Sequence, residues 1–201
     1  MSNIRIEIYQ NTDFDEMLSL IIDAFESKFC LRPKLDVSTV KDILSSIWIV
    51  PDRSLGYLHL VAKEEEEIVG VMLIKYGEQL KKHPQFSFFN LCLKYGFLNM
   101  LEFFLKLYIL EAFTTKECYV EHIAVAESAR GKGIGSLLLL EGEELLKKMH
   151  FKSLSLIVAK ENPAKHLYER IGFKDINYLN SKSKKYFLGI GEWIFMRKEF
   201  F

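Results

Sequence analysis

The sequence predicts a single α/β domain, a sheet with helices on both faces, on three observations. Seven stretches carry strand composition or period-two alternation, at 4–8, 58–62, 68–76, 119–125, 154–158, 174–179 and 193–198. Segments of helical period or helical composition separate many of them. The 201 residues, 49% hydrophobic and 27% charged, suit one folded domain with a sizeable core. No linker, repeat or low-complexity tract divides residues 1–201.

The elements follow in order. Ile4, Ile6 and Ile8 alternate with Arg5, Glu7 and Tyr9 as a half-buried strand. Asn11, Thr12 and Asp13 offer N-caps for a helix whose apolar face is Phe14, Met17, Leu18, Ile21, Ile22 and Phe25. Pro33 breaks this helix or its successor. Ser38 can cap a second helix through Val40, Ile43, Leu44 and Ile47, and Pro51-Asp52-Arg53 reads as a loop. Leu58–Ala62 and Ile68–Tyr76 read as a hairpin joined by a charged turn over Lys63–Glu67.

Residues 81–116 form a helical insertion between the third and fourth strands. Pro84 opens it, Gly96 divides it, and phenylalanine is concentrated in it. Asn99, Glu102 and Lys106 make a narrow polar stripe at helical spacing on an otherwise apolar helix. Lys94, Glu102, Lys106 and Glu111 interrupt every window of about 18 residues, which argues against a membrane span. Burial on the sheet, a homodimer interface and a lid over an apolar substrate remain open for this segment.

Charge and cysteine content narrow the function. Lysine plus arginine and aspartate plus glutamate both number 27, so there is no basic excess for nucleic acid. Cys30, Cys92 and Cys118 show no C-x-x-C spacing, which suggests a reducing compartment and no zinc site. The N-terminus runs straight into a strand pattern without a signal peptide, and a cytoplasmic location is expected.

The stretch from Tyr119 to Leu140 organises the chain. Tyr119-Val120-Glu121-His122-Ile123-Ala124-Val125 has the composition of a buried strand. Arg130-Gly131-Lys132-Gly133-Ile134-Gly135 follows, and Ser136 leads into four leucines and a helix reaching about His150. A strand, a glycine turn and a helix N-terminus suit an anion, because bare backbone N–H groups and the helix dipole both favour negative charge. A P-loop needs a Gly-Lys-Ser/Thr run that is absent. A dinucleotide fingerprint fails at its third glycine, which would fall on Ser136 or Leu138. The pattern that fits is Arg/Gln-x-x-Gly-x-Gly/Ala, on Arg130, Gly133 and Gly135. With this loop the sequence resembles the GNAT superfamily of N-acetyltransferases, whose members grip the pyrophosphate of acetyl-CoA there.

A second block strengthens the resemblance. Leu154, Leu156 and Val158 form a strand, then Asn162 is a plausible N-cap, Pro163 suits the first helical position and Gly172 ends the helix. Asn162, Ala164, Leu167, Tyr168, Glu169, Gly172 and Phe173 match the superfamily's second signature, with Tyr168 one residue nearer Asn162 than in many members. The last strands, Lys174–Leu179 and Trp193–Lys198, are joined by a polar loop and a segment with Gly189 and Gly191. The resemblance implies a mixed, mostly antiparallel, twisted sheet of the seven strands, helices on both faces, and acetyl transfer from acetyl-CoA to an amine. It covers Glu117 to Phe173 closely, and the N-terminal half only in element order.

The resemblance also implies residue roles. Ile123, Ala124 and Val125 would pair with pantetheine as if it were an added strand. Arg130, Gly131, Lys132, Gly133, Ile134, Gly135 and Ser136 would hold the pyrophosphate, and Asn162 the pantetheine arm. Tyr168 is the candidate acid for the leaving thiolate, or a core aromatic with a satisfied hydroxyl. Glu121 is the candidate base, since a carboxylate in an apolar strand is costly unless paired; the alternative is a glutamate facing a local lysine or the sheet end. By period two it shares a face with Tyr119, Ile123 and Val125, while His122 points the other way as a structural histidine. His166 is expected to face solvent without a role. Ordered water could replace a side-chain base. A CoA-binding sensor without catalysis, a longer acyl chain and a non-amine acceptor are the alternatives, and the acceptor itself is not legible.

Overall fold

The computed structural model describes residues 4–30, 35–48, 56–76, 86–111 and 118–200. The expectations on Pro33, Pro51-Asp52-Arg53 and Pro84 lie outside them. Seven strands form one sheet in the order β1-β2-β3-β4-β5-β7-β6. They are β1 (Ile4–Ile8), β2 (Tyr57–Glu64), β3 (Glu67–Lys75), β4 (Tyr119–Val125), β5 (Ser153–Ala159), β6 (Lys174–Asn180) and β7 (Glu192–Glu199). Neighbours are antiparallel except β4 and β5, which run parallel. This is the mixed, mostly antiparallel sheet expected.

Helices cover both faces. On one face, α6 (Ile134–Lys148) and α7 (Ala164–Ile171) bury Ile134, Leu138, Leu146 and Tyr168 against Leu58, Leu60, Met72 and Leu156. Two glycines set how closely α6 approaches. A Cβ at Gly142 would stand 2.7 Å from Met72 Cε, and one at Gly70 2.8 Å from Ile134 Cγ2. On the other face, α1 (Phe14–Ala24), α2 (Glu26–Cys30), α3 (Val37–Ile47) and α5 (Phe97–Glu111) enclose Met17, Ile21, Phe29, Ile43, Phe103, Val61, Val71 and Ala124.

Several local expectations change. Residues 11–13 form a short 3-10 turn ahead of α1, and the Asp13 carboxylate turns back to accept the Gln10 N–H at 2.8 Å and to pair with Lys63 at 2.9 Å. The cap of α3 is Asp36, not Ser38. Its carboxylate accepts the Thr39 N–H and the hydroxyls of Ser38 and Thr39, and the Ser38 bond leads those that hold it well below the usual carboxylate range. The β2–β3 turn shrinks to Glu65 and Glu66, with Glu65 left-handed at φ 58°.

The insertion holds α4 (Phe88–Tyr95) and α5, parted at Gly96, whose φ of 88° ends the first helix. The polar stripe on α5 divides: Asn99 is exposed and Glu102 half-buried, while Lys106 turns inward. Lys106 is fully buried, and its ammonium donates to the Phe29 carbonyl at 2.9 Å, at the end of α2. There it satisfies a terminal carbonyl and complements the helix dipole. Burial pushes its pKa down to about 8. A further helix, α8 (Lys182–Leu188), occupies the stretch expected as a polar loop. Its signals are a Ser181 cap accepting the Lys184 N–H at 3.2 Å and Gly189 at φ 74°. Among the described residues, no helix is long and apolar enough to cross a membrane.

Candidate active site

The site begins where the sheet comes apart. β4 and β5 pair only at Tyr119–Ser155 and Val120–Leu156. Ser155, fully buried, fastens this last contact by donating both its N–H and its hydroxyl to the Cys118 carbonyl, each at 2.9 Å. Beyond Val120 the two strands separate. The register explains why: Ile74 pairs with Val120 but Leu73 pairs with His122, leaving Glu121 as an extra residue on β4. Such a bulge bends its strand. The edge of β4 at Ile123, Ala124 and Val125 therefore stays paired with β3 and, among the described residues, has no partner on the β5 side. Side chains on this edge alternate, Ile123 and Val125 toward the cluster under α6 and Ala124 toward the one under α1.

The glycine loop closes the wide end of this gap. After β4, residues 127–129 make a 3-10 turn that buries Ala129, then Arg130 emerges exposed. Gly131 and Gly133 have φ of 80° and 81°, and a Cβ on either would meet nothing within 4 Å. Both glycines are there for backbone conformation, which β-branched or bulky residues rarely adopt. Gly133 is the cap of α6, and no side chain caps that end. The first-turn N–H groups of Ile134, Gly135 and Ser136 lie at a helix start, where no intrahelical acceptor exists. Gly135 serves packing instead, since its Cβ would lie 3.0 Å from Leu167 Cδ2 on α7. Ile134 anchors the turn in the core at 1% exposure. Lys132 is turned to Glu64, with Nζ at 2.9 Å from Oε2.

At the narrow end, Tyr168, Tyr119 and Glu121 come together. Tyr168 is buried on α7 with its ring edge-on to Phe173 at 6.0 Å. Burial pushes its pKa up to about 12. Burial likewise raises the Tyr119 phenol, and the nearby Glu121 and Tyr168 raise it further. Glu121 meets Lys75 Nζ at 2.9 Å. The bulge corrects the period-two expectation for this residue. Lys75 and His59 lie on the α1 face, as Val61 and Val71 of the same strands do, so Glu121 and His122 both point there. Asn162 sits at the outgoing end of β5, exposed, with Oδ1 accepting the Ala164 N–H at 2.9 Å. His166 is exposed, as expected.

One cluster escaped the sequence. Tyr9 stacks on His59 at 4.7 Å, His59 meets His122 edge-on at 5.6 Å, and Trp48 meets His122 at 6.2 Å. The Tyr9 hydroxyl, the Trp48 indole N–H, both His59 nitrogens and His122 Nε2 are buried with no hydrogen-bond partner among the described residues. Burial pushes the His59 pKa down to about 4 and that of His122 well below its usual value. Tyr9 just after β1, His59 on β2 and His122 on β4 form a polar row across the sheet, ending beside Glu121.

Comparison with known proteins bears on what this arrangement serves. The structure is similar over 98% of its length to histone acetyltransferase HPA2 and related acetyltransferase from Corynebacterium glutamicum, covering 96% of that chain with TM-score 0.64 and 22% identity. It is similar to ribosomal-protein-alanine N-acetyltransferase from Brucella melitensis over 97% of this chain and 99% of that one, with TM-score 0.61 and 20% identity. PaiA N-acetyltransferase from Thermoplasma acidophilum, solved in complex with coenzyme A, matches over 98% and 99% with TM-score 0.58 and 15% identity. At these identities the likeness speaks for the fold. No curated protein matches the sequence. The model of the acetyltransferase (GNAT) family matches residues 15–173, which take in the bulged strand, the glycine loop and Tyr168, so the chain belongs to that family of acetyltransferases.

Proposed function

We propose that this acetyltransferase moves the acetyl group of acetyl-CoA to a primary amine of a small molecule or peptide, by direct attack in a ternary complex. The observation that carries the reading is the parting of β4 from β5 beyond Val120 and Leu156, beside an uncapped helix start. The residues present fit acetyl-CoA. The unpaired edge at Ile123–Val125 offers backbone donors and acceptors in strand geometry, which suits the two amides of a pantetheine arm. The open, left-handed Gly131 and Gly133, the N–H groups of Ile134–Ser136 and the charge of Arg130 suit a pyrophosphate. Lys132 and Asn162 have protein partners in this state. Lys132 would contribute to cofactor binding by exchanging Glu64 for phosphate, whereas the Asn162 side-chain N–H groups can donate to the pantetheine arm while Oδ1 keeps the Ala164 bond.

The chemistry is divided among this chain's own groups. A backbone N–H on the free β4 edge stabilises the developing oxyanion. Tyr168, with its hydroxyl protonated throughout the physiological range, donates a hydrogen bond to the leaving sulfur. The upward shift makes it a weaker acid than an ordinary phenol, so its contribution is a donor held in place. Glu121, fixed by Lys75 on the opposite face of the sheet, takes the amine proton directly or through water. The three cysteines, all free, fit a cytoplasmic setting.

The test is calorimetric titration with acetyl-CoA, with CoA and NADH as comparisons, followed by thiol release across a panel of amines. Micromolar binding of acetyl-CoA and none of NADH, with amine-dependent thiol release, supports the proposal. No binding to either CoA species overturns it.

A further inference from the structure

The insertion is apolar on two sides, and among the described residues only one of them is buried in the core. Met100 and Phe103 on α5 are fully buried with the residues of α1–α3. On the other side, Leu98, Leu101, Leu105 and Tyr108 are 43–73% exposed. Their spacing of three, four and three residues is that of a and d positions in a heptad. On the adjoining α4, Phe89 and Leu93 are exposed as well, as is Phe97 at the junction of the two helices, at 59–72%. Together these side chains present on the order of 800 Å² of apolar surface, taking large side chains at ~150–250 Å² each. A monomer seldom shows a contiguous apolar patch beyond ~300–600 Å², and one partner's share of a stable interface is ~800 Å².

We propose that this face is a self-interface, covered by α5 of a second copy of the chain packed about a two-fold axis. The area is what such a dimer needs. The exposed seam carries no charge, so two identical seams can meet without repulsion, as a closed two-fold contact requires. A lipid surface would call for basic residues along the rim of the patch. Among the described residues of the insertion, Lys94 is paired with Asp42 and Lys106 is buried at the end of α2. Folding of the described residues leaves this seam exposed. Association would remove it from water.

The test is sedimentation velocity on the full chain over a roughly hundredfold dilution series, because mass action exposes self-association. The expected result is a species of twice 23.5 kDa. Leu101→Glu and Tyr108→Lys should each sediment as the monomer, with circular dichroism unchanged. Tyr108→Lys guards against misfolding, since that side chain is 71% exposed. A wild-type chain that is monomeric at every concentration overturns the proposal. So does a dimer that survives both substitutions, because its interface would then lie elsewhere. A monomer that co-sediments with vesicles of phosphatidylcholine and phosphatidylglycerol would assign the face to lipid, and also overturns it.

Discussion

Replacing His59 with phenylalanine should remove much of the acid sensitivity of the fold. His59 is 3% exposed, stacks on Tyr9 and leaves both ring nitrogens without a partner among the described residues. Burial lowers its pKa from 6.5 to about 4, with the charge of Asp13 opposing the shift. The folded chain therefore holds this imidazole neutral while the unfolded chain takes up a proton. That stability is present above the unfolded pKa and is lost as pH falls toward the folded one. At 1.36 kcal/mol per pKa unit, the loss between pH 7 and pH 5 is about 2 kcal/mol for His59 alone. His122 acts in the same direction. Glu143 acts elsewhere: burial pushes it up, the bonds from Lys198 and Lys147 outweigh that, and its net lowered pKa matters below the ordinary carboxylate range. Phenylalanine keeps the stacked ring and deletes both orphan nitrogens, each a cost of about 1–3 kcal/mol. Urea unfolding of both proteins at pH 7 and pH 5 decides the matter. The variant should be at least as stable at pH 7 and lose about 2 kcal/mol less on acidification. An equal loss in both proteins would refute the reasoning.

Three further outcomes follow from the site and the packing. Gly133→Val forces a β-branched residue to φ 81° and should weaken acetyl-CoA binding at least tenfold, about 1.4 kcal/mol by calorimetry; unchanged affinity would remove the loop from the site. Tyr168→Phe should lower turnover while leaving acetyl-CoA affinity nearly unchanged, and wild-type turnover would reject the assigned role. Gly142→Leu drives its side chain into Met72 and Ile74, whose atoms lie 2.7 and 2.8 Å from the Cβ position. It should cost about 1–3 kcal/mol in thermal unfolding, and an unshifted midpoint would contradict the close approach of α6 to the sheet.

Much of this was legible because it is local. Period-two runs placed the strands, and the glycines at 131, 133 and 135 marked a strand-to-helix turn. What was not legible depends on partners distant in sequence. The face taken by Glu121 is decided by a bulge in the pairing of β4 with β3, which no period along β4 alone reveals. Lys132 looked like a phosphate ligand, and in the fold it meets Glu64, 68 residues away. The burial of Lys106 was not legible, because its partner is the Phe29 backbone carbonyl, which has no sequence signature. The helix α8 was legible in principle, since Ser181 and Gly189 are ordinary start and stop signals. Its lysine-rich composition hid it. Tyr9, Trp48, His59 and His122 lie in four separate segments, and only tertiary packing brings them together.

The two pairs that join β4 to β5 make the sheet two leaves rather than one plate. The leaf β1-β2-β3-β4 and the leaf β5-β7-β6 share two residue pairs, the Ser155 fastening and the helices laid across them. A cofactor bound along the free edge of β4 would act as mortar in that seam. The chain would then gain cohesion from its own substrate, and amide hydrogens at the seam should exchange more slowly once acetyl-CoA is bound.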